Sequence, residues 1–230
     1  MYNVIKRAID IIVSILALLL FSPLLLIVAI ILKLTEEGEI IYRQKRIGLN
    51  ARNFDLLKFV TMRRNSEDHG SITYQNDPRI LPFGRILRDT KINELLQLIN
   101  VLKGEMTLVG PRPLVDETGF QYYPMEIREN IYRDNKPGLT GIGSLFFRDE
   151  EEMLLKDGKA IDTVYKTEIM PVKGALELWY REKKNLWIDL KIVMLTAISI
   201  VFPKNKIYIN SFTSINQGII DKYLKLRLGK

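Results

Sequence analysis

The stretch IIVSILALLLFSPLLLIVAIIL, from Ile11 to Leu32, contains no charged residue. Its length is close to the ~20 apolar residues that a helix needs to cross a bilayer. Lys6 and Arg7 could begin a cleaved signal peptide, but the apolar run is too long for one and no small-residue cleavage site follows it. The sequence therefore predicts a segment embedded in a membrane, around which the rest of the chain is arranged.

Ser22 and Pro23 lie at the middle of this run, where a proline removes an amide donor and predicts a kink. Cations flank both ends, at Lys6 and Arg7 before the run and at Lys33, Arg43, Lys45 and Arg46 after it. Because cationic flanks stay cytoplasmic, a helix that bends at Pro23 and leaves by the face it entered satisfies both features. A kinked spanning helix remains the alternative. Asp10 is expected to pair with Lys6 or Arg7 at helical spacing.

The composition favours anionic partners. The chain has 230 residues and a net charge of +7, which suits a phosphate-bearing substrate, an acidic membrane surface or nucleic acid. The absence of cysteine excludes disulfides and thiolate metal sites. The single histidine, His69, lies in a polar stretch that predicts a loop, and one histidine cannot form a zinc cluster.

Residues after the apolar run show a mixed pattern typical of an α/β fold. Two short strands are predicted around a turn at Gly48-Leu49-Asn50. A helix is predicted from Thr90, as N-cap, to Leu102, with Lys103-Gly104 ending it. The motif VGPRPL then predicts a rigid turn. A further helix is predicted over residues 116–132, and a loop over residues 137–143.

Residues 174–202 form a second candidate for contact with the membrane. Trp179, Tyr180 and Trp187 are amphipathic aromatic residues suited to the headgroup zone, and the apolar end of the stretch is too short to span. The basic segment after Pro203 predicts either a solvated tail or a tail that touches acidic lipid. We therefore expect three regions: the membrane segment 1–35, a domain at 36–203 and a tail at 204–230.

Three features could carry chemistry. Asn93 and Glu94 are placed in the first turn of the predicted helix, where exposed amides favour anions and a carboxylate can hold a divalent cation. Arg112, between two prolines, offers a guanidinium on a rigid turn, which suits phosphate. Cations are dense between Arg43 and Arg88. A helix cap, an ion pair and scattered surface charge are the ordinary alternatives for the three features.

Several motifs together resemble the bacterial sugar transferase family, the small monotopic phosphoglycosyl transferases. The resemblance covers about residues 6–203. It includes the Lys6-Arg7 start, the Ser22-Pro23 break and NELLQLINVLKGEMTLVGPRPL from Asn93 to Leu114. It also includes KFVTM at 58–62, DPR at 77–79, GRILR at 84–88, PGLTG at 137–141 and WIDLK at 187–191.

This resemblance implies a reentrant broken helix, a small mixed α/β catalytic domain and amphipathic helices at the membrane interface. It implies transfer of a sugar 1-phosphate from a UDP-sugar to polyprenol (undecaprenyl) phosphate, with release of UMP and with Mg²⁺ as cofactor. In the family an aspartate attacks the phosphorus and a glutamate follows it. Glu94 matches that glutamate, which implies that it also binds the metal. Arg112 matches a residue that contacts phosphate. Lys58, Arg79 and Arg88 match further family positions.

Asn93 stands where the family has its nucleophilic aspartate, and a carboxamide is a poor nucleophile. Four accounts remain open: Glu94 is the nucleophile, the transfer is direct, an aspartate was deliberately replaced to trap a substrate complex, or the protein is inactive. We favour an active natural variant, since the surrounding motif is intact. Asp89, four residues earlier, is an outside candidate for metal or base. In the altered segment after PGLTG, Arg148 and Asp149 are candidate substrate contacts.

The main hypothesis is therefore an enzyme that starts a surface or secreted glycan, such as an exopolysaccharide or lipopolysaccharide, at the cytoplasmic face of a bacterial inner membrane. An inactive membrane-associated scaffold on the same fold is the alternative. Nucleic acid is not an expected partner, because no zinc finger, RNP motif or recognition helix is present. Membrane domains of this kind can form homodimers, but no interface can be identified from the sequence.

Overall fold

The computed structural model describes residues 1–35, 38–66, 73, 77–115, 123, 130–150 and 161–228. Its first element, α1, is a 33-residue helix from Tyr2 to Leu34 that includes Pro23. Within the described ranges, α1 is the one helix long and apolar enough to cross a membrane, judged by length and composition. The predicted loop around His69 and most of the predicted helix over 116–132 lie outside the described residues.

The beginning of α1 is fixed to the folded domain by polar contacts. Arg7 donates to the carbonyl oxygens of Val101 at 2.6 Å and Leu102 at 2.9 Å. The buried Asp10 accepts a hydrogen bond from the Thr107 hydroxyl at 2.6 Å. The predicted ion pair between Asp10 and Arg7 is therefore wrong, because both side chains find partners more than 90 residues away.

Lys6 and Tyr2 add a second attachment. Both donate to the same Asp189 oxygen at 2.8 Å, and the hydroxyl of Tyr180 donates to the other oxygen at 2.6 Å. The carboxylate that pairs with Lys6 is thus Asp189 and not Asp10. This shared acceptor joins the start of α1 to the late helices of the chain.

The end of α1 packs against the same domain. Val28 and Leu32 are buried in a cluster with Leu57, Phe59, Leu87 and Leu96. Residues 15–23, between the two attached portions, include no buried side chain. Since a straight helix separates Asp10 from Val28 by about 27 Å, the domain holds α1 at two distant places and leaves its middle exposed.

The predicted hairpin is confirmed. Strands β1, Ile41–Ile47, and β2, Asn53–Phe59, pair antiparallel with Ile41 opposite Phe59 and Ile47 opposite Asn53. A 3₁₀ turn at Leu49–Ala51 joins them, and Asn50 adopts a left-handed conformation with φ of 54°. Asparagine tolerates that conformation better than most residues, which explains why the turn could be predicted.

The predicted helix from Thr90 to Leu102 is broken. Helix α2, Pro82–Asp89, ends at Thr90, whose hydroxyl donates back to the carbonyl oxygen of Ile86 at 2.7 Å. Lys91 is left-handed, with φ of 61°, and a 3₁₀ turn at Ile92–Glu94 precedes helix α3, Gln97–Lys103. Thr90 is therefore a C-cap, and Asp89 is not on one helix with Asn93. The predicted end at Gly104 is correct.

The predicted loop over 137–143 is also wrong. Strand β4, Gly138–Thr140, pairs parallel with β3, Thr107–Val109, and helix α4, Ile142–Phe146, follows at once. Glycine permits this pairing, because a β-carbon on Gly138 would stand 2.2 Å from the Gly110 nitrogen. The two backbones thus approach more closely than side chains allow.

The last helices form the largest core. Helix α5, Ile161–Val164, continues through a π-helical turn, Tyr165–Ile169, into α6, Met170–Lys183, and α7, Leu186–Val201, follows. Trp179 and Tyr180 are buried in this core, so their predicted place among lipid headgroups is wrong, whereas Trp187 is 70% exposed. The overall architecture is a mixture of helices and short strands, compatible with the predicted α/β class.

Residues after Pro203 are not a solvated tail. A 3₁₀ turn at Ile207–Asn210 and helix α8, Gln217–Leu228, pack on α4 and α6. Tyr223 is fully buried, and its ring contacts those of Phe146 and Phe147 edge to face. The segment therefore contributes to the same core as the central domain.

Candidate active site

A cleft of about 270 Å³ opens where four parts of the chain meet. These parts are the hairpin, the turn before α3, the Pro111–Pro113 segment and β4 with the start of α4. Three cations and one carboxylate line it, together with amide, hydroxyl and apolar groups: Arg46, Leu56, Lys58, Glu94, Gln97, Arg112, Pro113, Gly138, Leu139 and Ser144. The cleft thus combines residues that lie up to 98 positions apart in sequence.

One buried side chain, Asn100, connects the elements that carry Lys58 and Glu94. Lys58 lies on β2, and Glu94 ends the 3₁₀ turn that leads into α3. Asn100 of α3 accepts from the Leu57 N–H at 3.0 Å and donates to the Asp55 carbonyl at 2.7 Å. Because the Asn100 side-chain amide bonds to backbone groups of β2 close to Lys58, it fixes α3 against that strand.

The backbone around Arg112 is held on three sides. Its N–H donates to Glu177 Oε1 at 3.4 Å, and its carbonyl accepts from the Tyr132 hydroxyl. Arg46 Nη1 donates to the carbonyl of Pro113 at 2.8 Å. The Arg112 side chain itself is exposed. A rigid backbone thus presents an exposed guanidinium at the cleft, as the two prolines predict.

The charges in the cleft act strongly on one another. The pKa of Lys58 is lowered to about 7, chiefly by burial; Glu94 opposes this shift, and Arg46 and Arg112 add to it. Burial and then Arg112 lower the pKa of Arg46 to about 10. Burial alone would raise the pKa of Glu94, but Lys58 and Arg112 outweigh it and the net shift is downward. Near neutral pH, Glu94 is a carboxylate among cations.

A family model described as "Bacterial sugar transferase" matches residues 1–203, most of the chain. The chain belongs to the bacterial sugar transferase family. A UDP-glucose:undecaprenyl-phosphate glucose-1-phosphate transferase from Caulobacter vibrioides is 38% identical over 202 residues, which cover 87% of this chain and 71% of that protein. Exopolysaccharide production protein ExoY from Rhizobium meliloti is 32% identical over 215 residues, 86% of each.

A third relative is longer. A UDP-N-acetylgalactosamine-undecaprenyl-phosphate N-acetylgalactosaminephosphotransferase from Aeromonas hydrophila is 35% identical over 202 residues, which cover 87% of this chain but only 44% of that protein. This family member therefore spans less than half the length of some relatives it matches.

Three of the site residues predicted for this sugar transferase family member line the cleft together: Lys58, Glu94 and Arg112. Arg88, in the last turn of α2, does not line it, but its charge contributes to lowering the pKa of Lys58. Arg46, Gln97 and Ser144 were not predicted as site residues. Arg46 could have been found from the alternation of residues along β1, because Tyr42, Gln44 and Arg46 lie on its less exposed face.

Two other predicted cations lie elsewhere. Arg79 forms a bidentate ion pair with the buried Asp77, in which Nη2 lies 2.6 Å and Nε 2.9 Å from the carboxylate oxygens. Its Nη1 donates to the Ser66 carbonyl. Arg148 follows α4 and does not line the cleft. Burial lowers the pKa of Arg148, and the neighbouring Asp149 partly offsets that shift. Asp149 itself pairs with Arg227.

Asn93 and Glu94 face different surroundings. Asn93 is 5% exposed and does not line the cleft, whereas Glu94 does. The Asn93 Oδ1 is buried and accepts no hydrogen bond from the residues that the structure describes. Of the two, Glu94 alone offers a carboxylate to a bound molecule.

The predicted break at Ser22 and Pro23 coincides with a local side-chain contact. The Ser22 hydroxyl donates to the carbonyl oxygen of Leu19 at 2.8 Å, a contact that tends to bend helices, and Pro23 follows at once. Both side chains are exposed. The helical assignment nevertheless continues through Pro23 to Leu34.

A magnesium ion would find a small but suitable donor set. No group of three or more acidic, histidine or cysteine side chains that could hold a metal occurs among the described residues. Mg²⁺, however, usually binds one or two carboxylates and takes its other ligands from waters and substrate phosphates. Glu94, with the side-chain amide of Gln97 on the same cleft, fits an ion shared with a phosphorylated substrate.

Proposed function

We propose that this chain transfers a sugar 1-phosphate from a UDP-sugar to undecaprenyl phosphate and releases UMP. The observation that carries the proposal is the cleft in which Glu94 lies among Lys58, Arg112 and Arg46. Cationic side chains on rigid backbone suit the diphosphate of a UDP-sugar, since charge-assisted hydrogen bonds to phosphate are strong and directional. The names of the Caulobacter and Aeromonas relatives support the same reaction.

The reaction exchanges one phosphoanhydride bond for another. The bond between the sugar-bearing phosphorus and the bridging oxygen breaks, and UMP leaves with the electron pair. A new bond forms from an oxygen of the lipid phosphate to that phosphorus, either directly or after a covalent step. Lys58, Arg46 and Arg112 would neutralise the phosphate charge throughout.

Glu94 is the residue on which the transfer depends. It lines the cleft as a carboxylate, whereas Asn93 is neutral and buried. Glu94 would either attack phosphorus or align the acceptor phosphate, and it would hold Mg²⁺. When bound, that ion supplies further charge neutralisation on the transferring group. The names of the relatives reported above give no support to the alternative of an inactive scaffold.

UMP release tests the proposal. The purified chain should release UMP from at least one UDP-sugar with undecaprenyl phosphate and Mg²⁺, and Glu94→Gln should lower the rate by about 100-fold or more. Asp89→Asn, which removes an exposed carboxylate five residues earlier, is the matched control and should keep the rate. No UMP from the chain or from Asn93→Asp with any common UDP-sugar would contradict the proposal. Activity only in Asn93→Asp would contradict the dependence on Glu94.

We further propose that α1 enters and leaves the bacterial inner membrane by its cytoplasmic face. The two attachments of α1 to one domain support this, because a membrane-spanning course would carry one of them across the bilayer. The aromatic and aliphatic residues exposed on α7, including Trp187 and Met194, would rest at the same surface.

The absence of cysteine makes this topology directly measurable. Single cysteines at Asn3 and Glu39, on either side of the apolar run, should both react with an impermeant maleimide in inside-out vesicles. Neither should react in intact spheroplasts. Labelling of one position from each side would establish a spanning helix instead.

A further inference from the structure

A second cavity, of about 760 Å³, lies between the start of α1, the segment before β4 and the end of α6. It shares no lining residue with the catalytic cleft. Arg7, on its wall, binds carbonyls at the C-terminal end of α3, whereas Glu94 precedes the N-terminal end of that helix. Arg7 and Glu94 therefore lie toward opposite ends of α3, which is about 10 Å long, although the two sites adjoin at Pro111 and Arg112.

Three cations on this cavity form no ion pair with the carboxylates that the structure describes. Arg7 donates to backbone carbonyls, and Lys184 donates to the Asn135 side-chain oxygen. Within the described part of the chain, no carboxylate oxygen lies within 4.0 Å of Arg7, Lys136 or Lys184. Hydrogen bonds to neutral groups position these side chains but leave their positive charge uncompensated.

Two of the cations converge on one point. If Gly104 carried a β-carbon, Lys136 Nζ would lie 3.5 Å from it and Arg7 Nη2 3.6 Å from it. Burial, followed by the charge of Arg7, lowers the pKa of Lys136. Burial, followed by the charge of Arg181, lowers the pKa of Lys184. An anion in the cavity would remove this mutual repulsion.

The acidic groups around the cavity cancel these cations only in part. Asp10 accepts a hydrogen bond from the neutral Thr107 hydroxyl and keeps its charge, which opposes the lowering of the Lys136 pKa, while Lys6 pairs with Asp189. The lining has four cations and two carboxylates. The side chain of Asp134 is 71% exposed and reaches only Arg181, at 3.9 Å. The wall of the cavity thus keeps a net positive charge.

Apolar side chains beside the cavity indicate where the anion comes from. Val4 and Ile5, on the first turn of α1, are 75% and 37% exposed. Trp187 and Leu190, next to Asp189 on α7, are 70% and 48% exposed. Exposed apolar groups beside lysines are the pattern of a surface that rests in lipid headgroups.

We propose that this cavity binds the phosphate of an anionic phospholipid headgroup through Arg7, Lys136 and Lys184. The site would anchor the start of α1 at a fixed depth. It is separate from the catalytic cleft, so the proposal does not depend on the reaction proposed above.

The test uses the full chain in an uncharged detergent. Thermal unfolding is followed while short-chain phosphatidylglycerol, short-chain phosphatidylcholine, inorganic phosphate or undecaprenyl phosphate is added, and an apparent Kd is taken from the shift in Tm. The variants are Lys136→Gln/Lys184→Gln, the charge-keeping Lys136→Arg/Lys184→Arg, and Lys183→Gln. The last removes an exposed lysine adjacent to the site and controls for general charge.

Phosphatidylglycerol should stabilise the parent chain, the arginine variant and Lys183→Gln alike, and bind the glutamine double variant about tenfold or more weakly. UMP release in detergent should be kept in the double variant. Equal binding by the double variant, or equal stabilisation by phosphatidylcholine, would overturn the proposal. Saturation by inorganic phosphate alone, or preference for undecaprenyl phosphate, would overturn the assignment to phospholipid.

Discussion

Lys58 occupies a position where its charge is costly until a phosphate arrives. Its pKa of about 7 reflects burial first, then the opposing charge of Glu94, and then the neighbouring arginines, which lower it. Because the lysine is half protonated at that pH, the free protein loses a phosphate-binding cation as pH rises. The family resemblance predicted Lys58 as a site residue, but its altered pKa follows only from residues that are distant in sequence.

We therefore expect kcat/KM for UMP release to fall as pH rises from 7 to 9. Lys58→Arg should show a smaller fall, because arginine keeps its charge in this range. The measurement is a pH–rate profile of both proteins with one UDP-sugar. Titration of the substrates contributes equally to the two profiles, so parallel curves would show that Lys58 is not the group responsible.

Glu177 is a buried acid behind the Arg112 backbone. Burial raises its pKa to about 8, although hydrogen bonds from Arg112 and Gly143 oppose the shift. The folded protein thus keeps a proton that the unfolded chain releases near pH 4, so this contribution to stability is lost progressively as pH rises from about 4 through 8. Nothing in the sequence marks this glutamate, since its neighbours on α6 suggest an ordinary exposed helix face.

The replacement Glu177→Gln should therefore raise the Tm relative to the parent, and by more at pH 9 than at pH 6. Glu177→Ala should destabilise by about 1–3 kcal/mol at pH 6, because the Arg112 N–H loses its acceptor. Thermal unfolding of the three proteins at both pH values gives the comparison. A difference between Gln and parent that does not change with pH would contradict a neutral Glu177.

At the scale of elements, the sequence predicted the turns and helix ends that depend on residues close together in the chain. The hairpin has its turn residue at Asn50, and α3 has its terminal glycine at Gly104. The break before α3 could not be predicted, because it depends on a left-handed Lys91, a residue with no preference for that conformation. The pairing of β4 was missed because it requires a distant partner, β3, and its glycines suggest a loop.

Asn100 connects two of these elements, and its loss should be costly. Asn100→Ala leaves the Leu57 N–H and the Asp55 carbonyl without their partner, so we expect a loss of about 2–4 kcal/mol in unfolding free energy. UMP release should also fall, because Lys58 and Glu94 lose their common support. Asn205→Ala, on an exposed turn, should cost less than about 1 kcal/mol. Similar losses in both variants would argue against the role of Asn100.

At the scale of the molecule, the core continues past the segment that the family model matches. That match ends at residue 203, yet Tyr208 and Tyr223 lie in the main hydrophobic cluster. Their rings cover Phe146 and Phe147, which follow Ser144 of the cleft. The segment after Pro203 was predicted to be a tail because it is basic and carries no strong motif. Its apolar residues can be recognised as core residues only once the surface that they cover is known.

Replacing Tyr223 with alanine should remove this cover and cost about 3–5 kcal/mol. Tyr223→Phe keeps the ring and loses only the hydroxyl contacts with Tyr208 and Arg227, so its cost should be near 1 kcal/mol. Denaturation in detergent measures both. Wild-type stability in the alanine variant would mean that α8 is dispensable to the core.

The two attachments of α1 also impose an order on biogenesis. Thr107 and Asp189, which hold the beginning of α1, are synthesised about 100 and 180 residues after it. The contacts that fix this part of the helix can therefore form only after most of the folded domain has been made. Until then the apolar helix has no partner in its own chain for Lys6, Arg7 or Asp10.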